Sequence, residues 1–467
     1  MRLHRTLPAT LAALALAGAV PATFSQLASG QSTATRDLDS RLQQLVSAVS
    51  ESRLGELVNT LAAFGTRNTL SSTTSPERGI GAARQWIFEE LQRSSPRLQV
   101  SFDTYKVAKG ARITRDVELR NVLAVLPGRS PRRIYLTAHY DTVNIGGTGQ
   151  IGSNTRPSGQ TAAADPQLRA DQDYNVDAPG ANDNGSGTAL TMELARVLAT
   201  SDVEFDATIV FALWAGEEQG LVGSRIHAQR LARNKTVVEA NINNDIVGNS
   251  HGGGGETDAG SVRVYSEGPE DSPSRALARY ISRVASLYVP SHRIRLMARP
   301  DRFSRGSDHS SFNDYGFPAI AFRESRENFA KQHSALDTVD GVDVAYLAQN
   351  ARVNIVSLAS LALAPPAPVV TNERGQARIG RQPSGYDANL QWQASPGASA
   401  YRIYWRDAWT NDWAESRLVG DQAQVSLPGL SIDDHVFGVA AVGADGNESL
   451  VSAYVERRAR RPEVKLR

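Results

Sequence analysis

Six side chains in the middle of the chain are of the types that hold divalent metals and move protons: His139, Asp183, Glu217, Glu218, Asp245 and His333. His139 closes the apolar run RRIYLTAH, so its imidazole projects from a strand's carboxyl end, where ligands of open α/β sheets collect. Asp141, two residues on, shares its face if the strand continues, close enough to orient the ring through its other nitrogen. Asp183 lies in PGANDNGSG, a polar loop opening into a helix marked by Leu190, Leu194, Val197 and Leu198. A carboxylate at such a junction can bridge two ions through its two oxygens. Glu217 and Glu218 end ATIVFALWAGEE, and as consecutive residues they point in different directions; one can hold a metal while the other holds water. Asp245 ends the strand-like NINND, and His333 falls in the loop KQHSALDTVD.

Two imidazoles and three carboxylates suit Zn²⁺ best among common ions, with Mn²⁺ or Co²⁺ as alternatives, because nitrogen ligands disfavour Mg²⁺ and Ca²⁺. Any one such acid is more often a helix cap or a turn residue, and a lone His is usually a satisfied polar side chain. Three strand-like runs ending in metal-competent side chains, plus a Glu-Glu pair and a late His, form the pattern of a two-metal hydrolase.

The elements that must position these residues alternate. Helical spacing covers 37–63, with Leu42, Leu45, Val46 and Val49 on one face, and 79–91; strand-like runs follow at 98–107, 117–125 and 133–139. Further strands alternate with helices at 188–198, 221–231, 274–288 and 342–363. This predicts an α/β domain with a mostly parallel central sheet flanked by helices. The patternless stretch 143–179 is longer than connections usually are; between two ligand segments, it either shapes the substrate cleft or is a surface insertion. His251, in a second Gly-rich stretch, reads as a loop residue rather than a sixth ligand.

The segments AHYDTV, PGANDNGSG, WAGEEQGLVGS, NNDIVGN, GSDHSSFNDYGFPAIAF and HSALDTVD resemble the M28 family of zinc peptidases and occur in that family's order over most of 130–340. The resemblance implies that Asp183 bridges two zinc ions, that His139 and Asp245 complete one site and Glu218 and His333 the other, that Glu217 is the general base acting on a metal-bridged hydroxide, and that Asp141 is the partner of His139. The chain has Asn184 where many members have a second Asp. DRFSRGSDH lacks the Cys and Tyr that some family aminopeptidases place there, which leaves Arg305 or the metal to stabilise the oxyanion. An exopeptidase of N-termini also needs an acceptor for the free ammonium. Glu324 and Glu327 in FRESREN are available acids, although surface carboxylates are the favoured reading. Asp308 and His309 either line the site or cap the following helix.

The opening 1–30, basic, then apolar from Leu7 to Val20, then small at Ala28 and Gly30, reads as a secretory signal peptide. Its apolar part is shorter than the roughly 20 residues a membrane span requires, so the expected location is secreted or periplasmic. With no cysteine in 467 residues, thiol catalysis and Cys-ligated zinc are excluded and the core must stand without disulfides. A net charge of +1 and the lack of a basic stripe with interleaved aromatics argue against nucleic-acid binding; the tail ERRARRPEVKLR reads as a solvated end.

The peptidase-like domain is placed at 31–364. At Ala364-Pro-Pro-Ala-Pro the composition marks a linker, and the short alternating runs of 365–467 predict a small all-β sandwich before the basic tail. Over about 365–458 it resembles a fibronectin type III domain, with Trp392, Tyr401, Leu430 and Phe437 as core and His435 where that family usually has Tyr. Trp409 and Trp413 read as packing against the sandwich, with contact to a cell surface or polysaccharide as the alternative. The leading expectation is a secreted aminopeptidase of peptide substrates. Carboxypeptidase or dipeptidase activity is the runner-up, a glutaminyl-cyclase-like activity is disfavoured by the full ligand set, and an inactive extracellular binding protein is the competitor from another class.

Overall fold

The first long helical stretch is two helices rather than one, α1 (Ser40–Ser47) and α2 (Glu51–Ala63). Ser50 separates them: it has extended backbone and its hydroxyl accepts from the Arg53 N–H, which makes it an N-cap. Leu42, Leu45 and Val49 still bury one stripe. The computed structural model describes residues 38–110, 112–145 and 173–455; the expected signal segment, most of the 143–179 loop and the basic tail lie outside the described residues.

Eight strands make one sheet: β1 (Gln99–Val107), β2 (Val117–Leu126), β3 (Ser130–His139), β4 (Ala207–Trp214), β5 (Val238–Asn244), β6 (Ser261–Ser266), β7 (Arg293–Met297) and β8 (Ala319–Glu324), in the order β1-β2-β4-β3-β5-β8-β6-β7. The central β4-β3-β5-β8 block is parallel. β1 and β2 join it antiparallel at one edge, and β6 runs antiparallel to β8 at the other while pairing parallel with β7. The sequence accounts for this difference: β4 is buried along Ile209–Trp214, as parallel strands covered on both faces are, whereas the edge strand β1 fully buries only Asp103.

Side chains along β3 divide the interior. Ile134, Leu136 and Ala138 join the larger core and Tyr135 the smaller one, the two-residue period of a strand. The larger core includes α3 (Gly79–Ser94), α4 (Gly185–Thr200), α6 (Pro273–Tyr288) and α8 (Val344–Leu363), and the smaller one α5 (Val222–Arg233) and α7 (His309–Asn313). α8 is apolar around most of its circumference and buried almost throughout, packed against α1, α2, α4, α6, β3 and β4. Each fully buried Leu, Ile or Val contributes about 1.5–3 kcal/mol. Among the described residues no helix is long and apolar enough to cross a membrane.

Beyond α8, β9 (Ile379–Arg381), β10 (Asp387–Gln391), β11 (Ala400–Asp407), β12 (Glu415–Val419), β13 (Gln424–Pro428), β14 (His435–Val442) and β15 (Ser452–Ala453) form two antiparallel sheets, β13-β10-β9 and β12-β11-β14-β15. They share a core of Trp392, Tyr401, Ile403, Phe437 and Val439, with the Trp392 and Tyr401 rings 5.2 Å apart; Leu430 is only partly buried beside it. His435 Nδ1 donates to the Ser431 carbonyl at 3.0 Å. Trp413 packs on Tyr404 as expected, but Trp409 does not and is 75% exposed.

The Pro-rich stretch is packed rather than loose: Ala364, Pro365 and Pro368 are buried, and Arg132 Nη2 donates to the Ala364 carbonyl at 2.8 Å. Glu448, 2% exposed, accepts from Tyr404 Oη (2.6 Å) and Arg402 Nε (2.9 Å) of β11 and from Arg283 Nη1 of α6 (2.7 Å). Arg406 Nη2 of β11 donates to both carboxylate oxygens of Asp271, at 2.8 and 3.0 Å.

Candidate metal centre

The parallel strands β3, β4 and β5 end side by side, which brings together His139 at the end of β3, Glu217 and Glu218 shortly after β4 and Asp245 just after β5. His139 Nε2 lies 3.4 Å from both Asp183 Oδ1 and Asp245 Oδ1. His333 Nε2 lies 3.0 Å from Asp183 Oδ2 and 3.4 Å from Glu218 Oε2. Ligand atoms of His139, Asp183 and Asp245 lie within 4.8 Å of one another, as do those of Asp183, Glu218 and His333, and those of His139, Glu217 and Glu218. All six residues read from the sequence therefore meet, with Asp183 between the two imidazoles.

Four of the six are held from behind. The His139 Nδ1–H donates to the Asp141 carbonyl at 3.1 Å, which leaves the Nε2 lone pair for a ligand. The Asp141 carboxylate, 3.7 Å from that ring, has other work: it accepts the backbone N–H groups of Glu217 (3.2 Å) and Glu218 (3.3 Å) and the Thr69 hydroxyl (3.1 Å). Asp337 accepts the N–H groups of Asn182 (3.0 Å) and Asp183 (2.8 Å), aligning the loop before α4. The Asn184 amide caps α4 by accepting from Gly187 N and donates to the Asn244 carbonyl, both at 2.9 Å; an ionised Asp could make only the first bond.

The donors fit a cation. Glu218 Oε1 and Asp245 Oδ1 are buried without a hydrogen-bond partner, and the cavity among these residues is about 20 Å³, room for a water or an ion. Burial pushes the Glu217 carboxyl well above its usual range, and the nearby Asp245, Asp308 and Asp141 carboxylates push it further against the pull of His139. Glu218 is raised likewise, by burial and then by Asp183 and Glu217. Burial opposes a charged His139, yet Asp245 and Glu217 outweigh it and hold the imidazole well above its ordinary pKa. Burial also opposes an ionised Asp183, and the two imidazoles overcome it. A bound cation would relieve this crowding and favour the deprotonated forms of these groups.

Of the remaining candidates, two acids depart from their sequence reading. Glu324 and Glu327 are not surface carboxylates: they are 0% and 9% exposed. Glu324 ends β8 and points inward, where it accepts from Asn182 Nδ2 (2.9 Å) and Asn249 N (2.8 Å); burial raises its pKa well above normal. Asp308 makes no side-chain cap to α7; it is buried, and burial pushes it up to about 7. His309 is buried too and donates from Nε2 to the Pro300 carbonyl at 2.9 Å. His251 lies on an exposed loop, bonded to Ser250 and apart from the metal-competent groups.

Sequence reasoning missed Arg67. Fully buried, it donates to the carbonyls of Leu61 (2.8 Å), Tyr140 (2.7 Å), Pro179 (2.6 Å) and Gly180 (2.8 Å), binding the end of α2 to the loops carrying Asp141 and Asp183. Burial lowers its pKa to about 10. Nothing in the local sequence AAFGTRNTL distinguishes it. Arg302 and Arg305, which line the cavity, were also unassigned apart from the suggestion of Arg305 as an oxyanion partner.

A largely parallel sheet whose strand ends converge two imidazoles and several carboxylates in one cavity defines a metal centre of the kind hydrolases use. The profile of peptidase family M28 matches residues 121–358, and the chain belongs to that family. A probable zinc metalloprotease of Pyricularia oryzae is 36% identical over 452 residues, covering 88% of this chain and 84% of its own; one of Leptosphaeria maculans is 35% identical, covering 88% and 96%. Among solved structures, LapB of Legionella pneumophila superposes with a TM-score of 0.52 at 18% identity, over 71% of this chain and 83% of that one. The LapA aminopeptidase of the same organism gives 0.50 at 18%, over 69% and 75%. These two likenesses are of fold.

Proposed function

We propose that this chain is a secreted two-zinc exopeptidase that removes N-terminal residues from peptides. The observation that carries the reading is the Asp183 carboxylate, whose two oxygens face different imidazoles, His139 and His333. His139 and Asp245 would hold one ion and Glu218 and His333 the other, with Asp183 available to both. Zinc, when bound, supplies polarisation of the scissile carbonyl and a water acidic near neutral pH.

The chain's own residues do the rest. Glu217 takes a proton from the attacking water on its carboxylate and returns it to the leaving amine nitrogen. Glu218, committed as a ligand, is not a free base, and Asp141 holds both acids in place through their backbone N–H groups. The relatives named as zinc metalloproteases support the choice of metal. The basic-then-apolar opening supports export. The core of Trp392, Tyr401 and Phe437 supports a fibronectin type III-like sandwich after the peptidase domain.

A carboxypeptidase or dipeptidase is the second reading, favoured by one observation: Glu324 and Glu327 are both engaged inside the protein, so neither is open to a substrate ammonium. The deciding experiment is amino-acid release by the mature, zinc-loaded protein from peptides with free or acetylated N-termini, with and without chelator, alongside metal content. Two zinc ions per chain and chelator-sensitive release from free N-termini only are expected. Release from acetylated peptides would move the assignment to carboxypeptidase or endopeptidase; less than one tightly bound ion, with no release, would restore the binding-protein reading.

A further inference from the structure

Arg302 and Arg305 line the same cavity as the metal-competent residues, with side chains 8% and 7% exposed. Their charge is incompletely balanced. Glu327 alone is shared by Arg263 Nη2 (2.5 Å), Arg302 Nη1 (2.5 Å) and Arg305 Nη1 (3.2 Å), and also accepts from Gln332 Nε2 (3.2 Å). Asp301 is shared by Arg302 Nε (3.0 Å) and Arg323 Nη2 (2.9 Å), and the remaining carboxylate on Arg323 is Asp245, at 2.6 Å, already assigned to metal. Four guanidiniums thus stand against two carboxylates that are not metal ligands. A guanidinium cannot shed its charge and accepts no hydrogen bond, so the surplus calls for an anion.

Arg305 is the member placed to receive it. Its bond to Glu327 is longer than those of Arg263 and Arg302, and it also donates to a neutral amide, Gln332 Oε1 at 3.1 Å. The Phe329 ring, 44% exposed, lies 5.8 Å from its Cζ and backs the planar group. Such a fork held in place on the cavity wall is suited to take a carboxylate through paired N–H groups.

We propose that Arg305, supported by Arg302, binds a carboxylate of the substrate next to the scissile bond, so that the centre acts on peptides anionic at that point. The carboxylate comes from an acidic side chain or from the free C-terminus of a short peptide. This rests on the exopeptidase reading above and narrows its substrate class.

Matched substrates separate the sources. Ala-Ala against Ala-Ala amide reads the terminal carboxylate; Glu-Ala amide against Gln-Ala amide, and Ala-Glu amide against Ala-Gln amide, read an acidic side chain on either side of the bond. In at least one pair the anionic member is expected to have a kcat/KM about 10–100-fold higher, the value of a charged hydrogen-bonded contact. Arg305→Gln abolishes that preference and Arg305→Lys keeps part of it. Calorimetric binding of the uncleavable reduced-bond Ala-Ala and its amide, to native protein and to Arg305→Gln, gives the same comparison without turnover. Equal rates within every pair, with hydrolysis intact, overturn the inference and leave the exopeptidase. Absence of hydrolysis in all pairs overturns the exopeptidase reading instead, and equal calorimetric affinities then dispose of the carboxylate site as well. If Arg305→Gln does not fold, the native pairs and the Lys variant decide.

Discussion

Glu217 and Glu218 are adjacent in sequence yet differ in surroundings: only Glu218 reaches His333, while Glu217 lies among the carboxylates that raise it. Replacing Glu217 by Gln is expected to leave zinc content unchanged and lower kcat by about 10²–10⁴-fold, the usual range for a positioned acid-base group; unaltered turnover in a metal-replete variant would remove it from the chemistry. The convergence of the metal-type residues was legible because His139, Glu217, Glu218 and Asp245 follow apolar strand-like runs and Asp183 sits where a polar loop opens into a helix, whereas His333, inside a polar loop, had only its residue type and sequence context to mark it. Arg67 and Asp337 were not legible, since their partners are backbone groups of loops far away in sequence. Glu324 and Glu327 misled because FRESREN is polar in composition, whereas β8 carries Glu324 inward and three arginines close over Glu327.

Helices and strands followed the sequence periodicity closely, from the face of α1 to the buried length of α8. Their pairing did not: strand order and the antiparallel edges depend on contacts that no local pattern carries, and the break at Ser50 has no Gly or Pro to announce it. One cross-element contact is testable. Asp103 on β1 receives His227 Nδ1 (2.7 Å) and Arg230 Nη1 (2.8 Å) from α5 and the Tyr105 hydroxyl (2.6 Å). Burial opposes its ionisation, but these partners prevail and hold its pKa well below the usual value. A depressed carboxylate stabilises the fold fully above its unfolded pKa of about 3.9 and loses that contribution as pH falls toward the folded value. Asp103→Asn should therefore cost about 1.5–3 kcal/mol at neutral pH, with the gap from native protein narrowing below about pH 4. Urea titrations across pH check the sign, and a gap that widens in acid would contradict it.

At the scale of the whole molecule, the C-terminal sheets lean on the peptidase fold through buried charge. Glu448→Ala removes the acceptor shared by Arg283, Arg402 and Tyr404, and a loss of about 3 kcal/mol is expected, with metal content retained because α6 carries no ligand. A loss below about 0.5 kcal/mol in chemical denaturation would mean that the pair behaves as a solvated surface contact. Composition alone identified proline and inferred a linker; it had no access to Arg132, which arrives from β3 to hold the Ala364 carbonyl. The anchoring of that segment bears on processing. A single cut between Pro365 and Pro368 would leave Arg406 on Asp271 and Glu448 on Arg283, so the two polypeptides would migrate as one particle under native conditions and part only in denaturant. Nicking there changes the number of chains without releasing a free catalytic fragment.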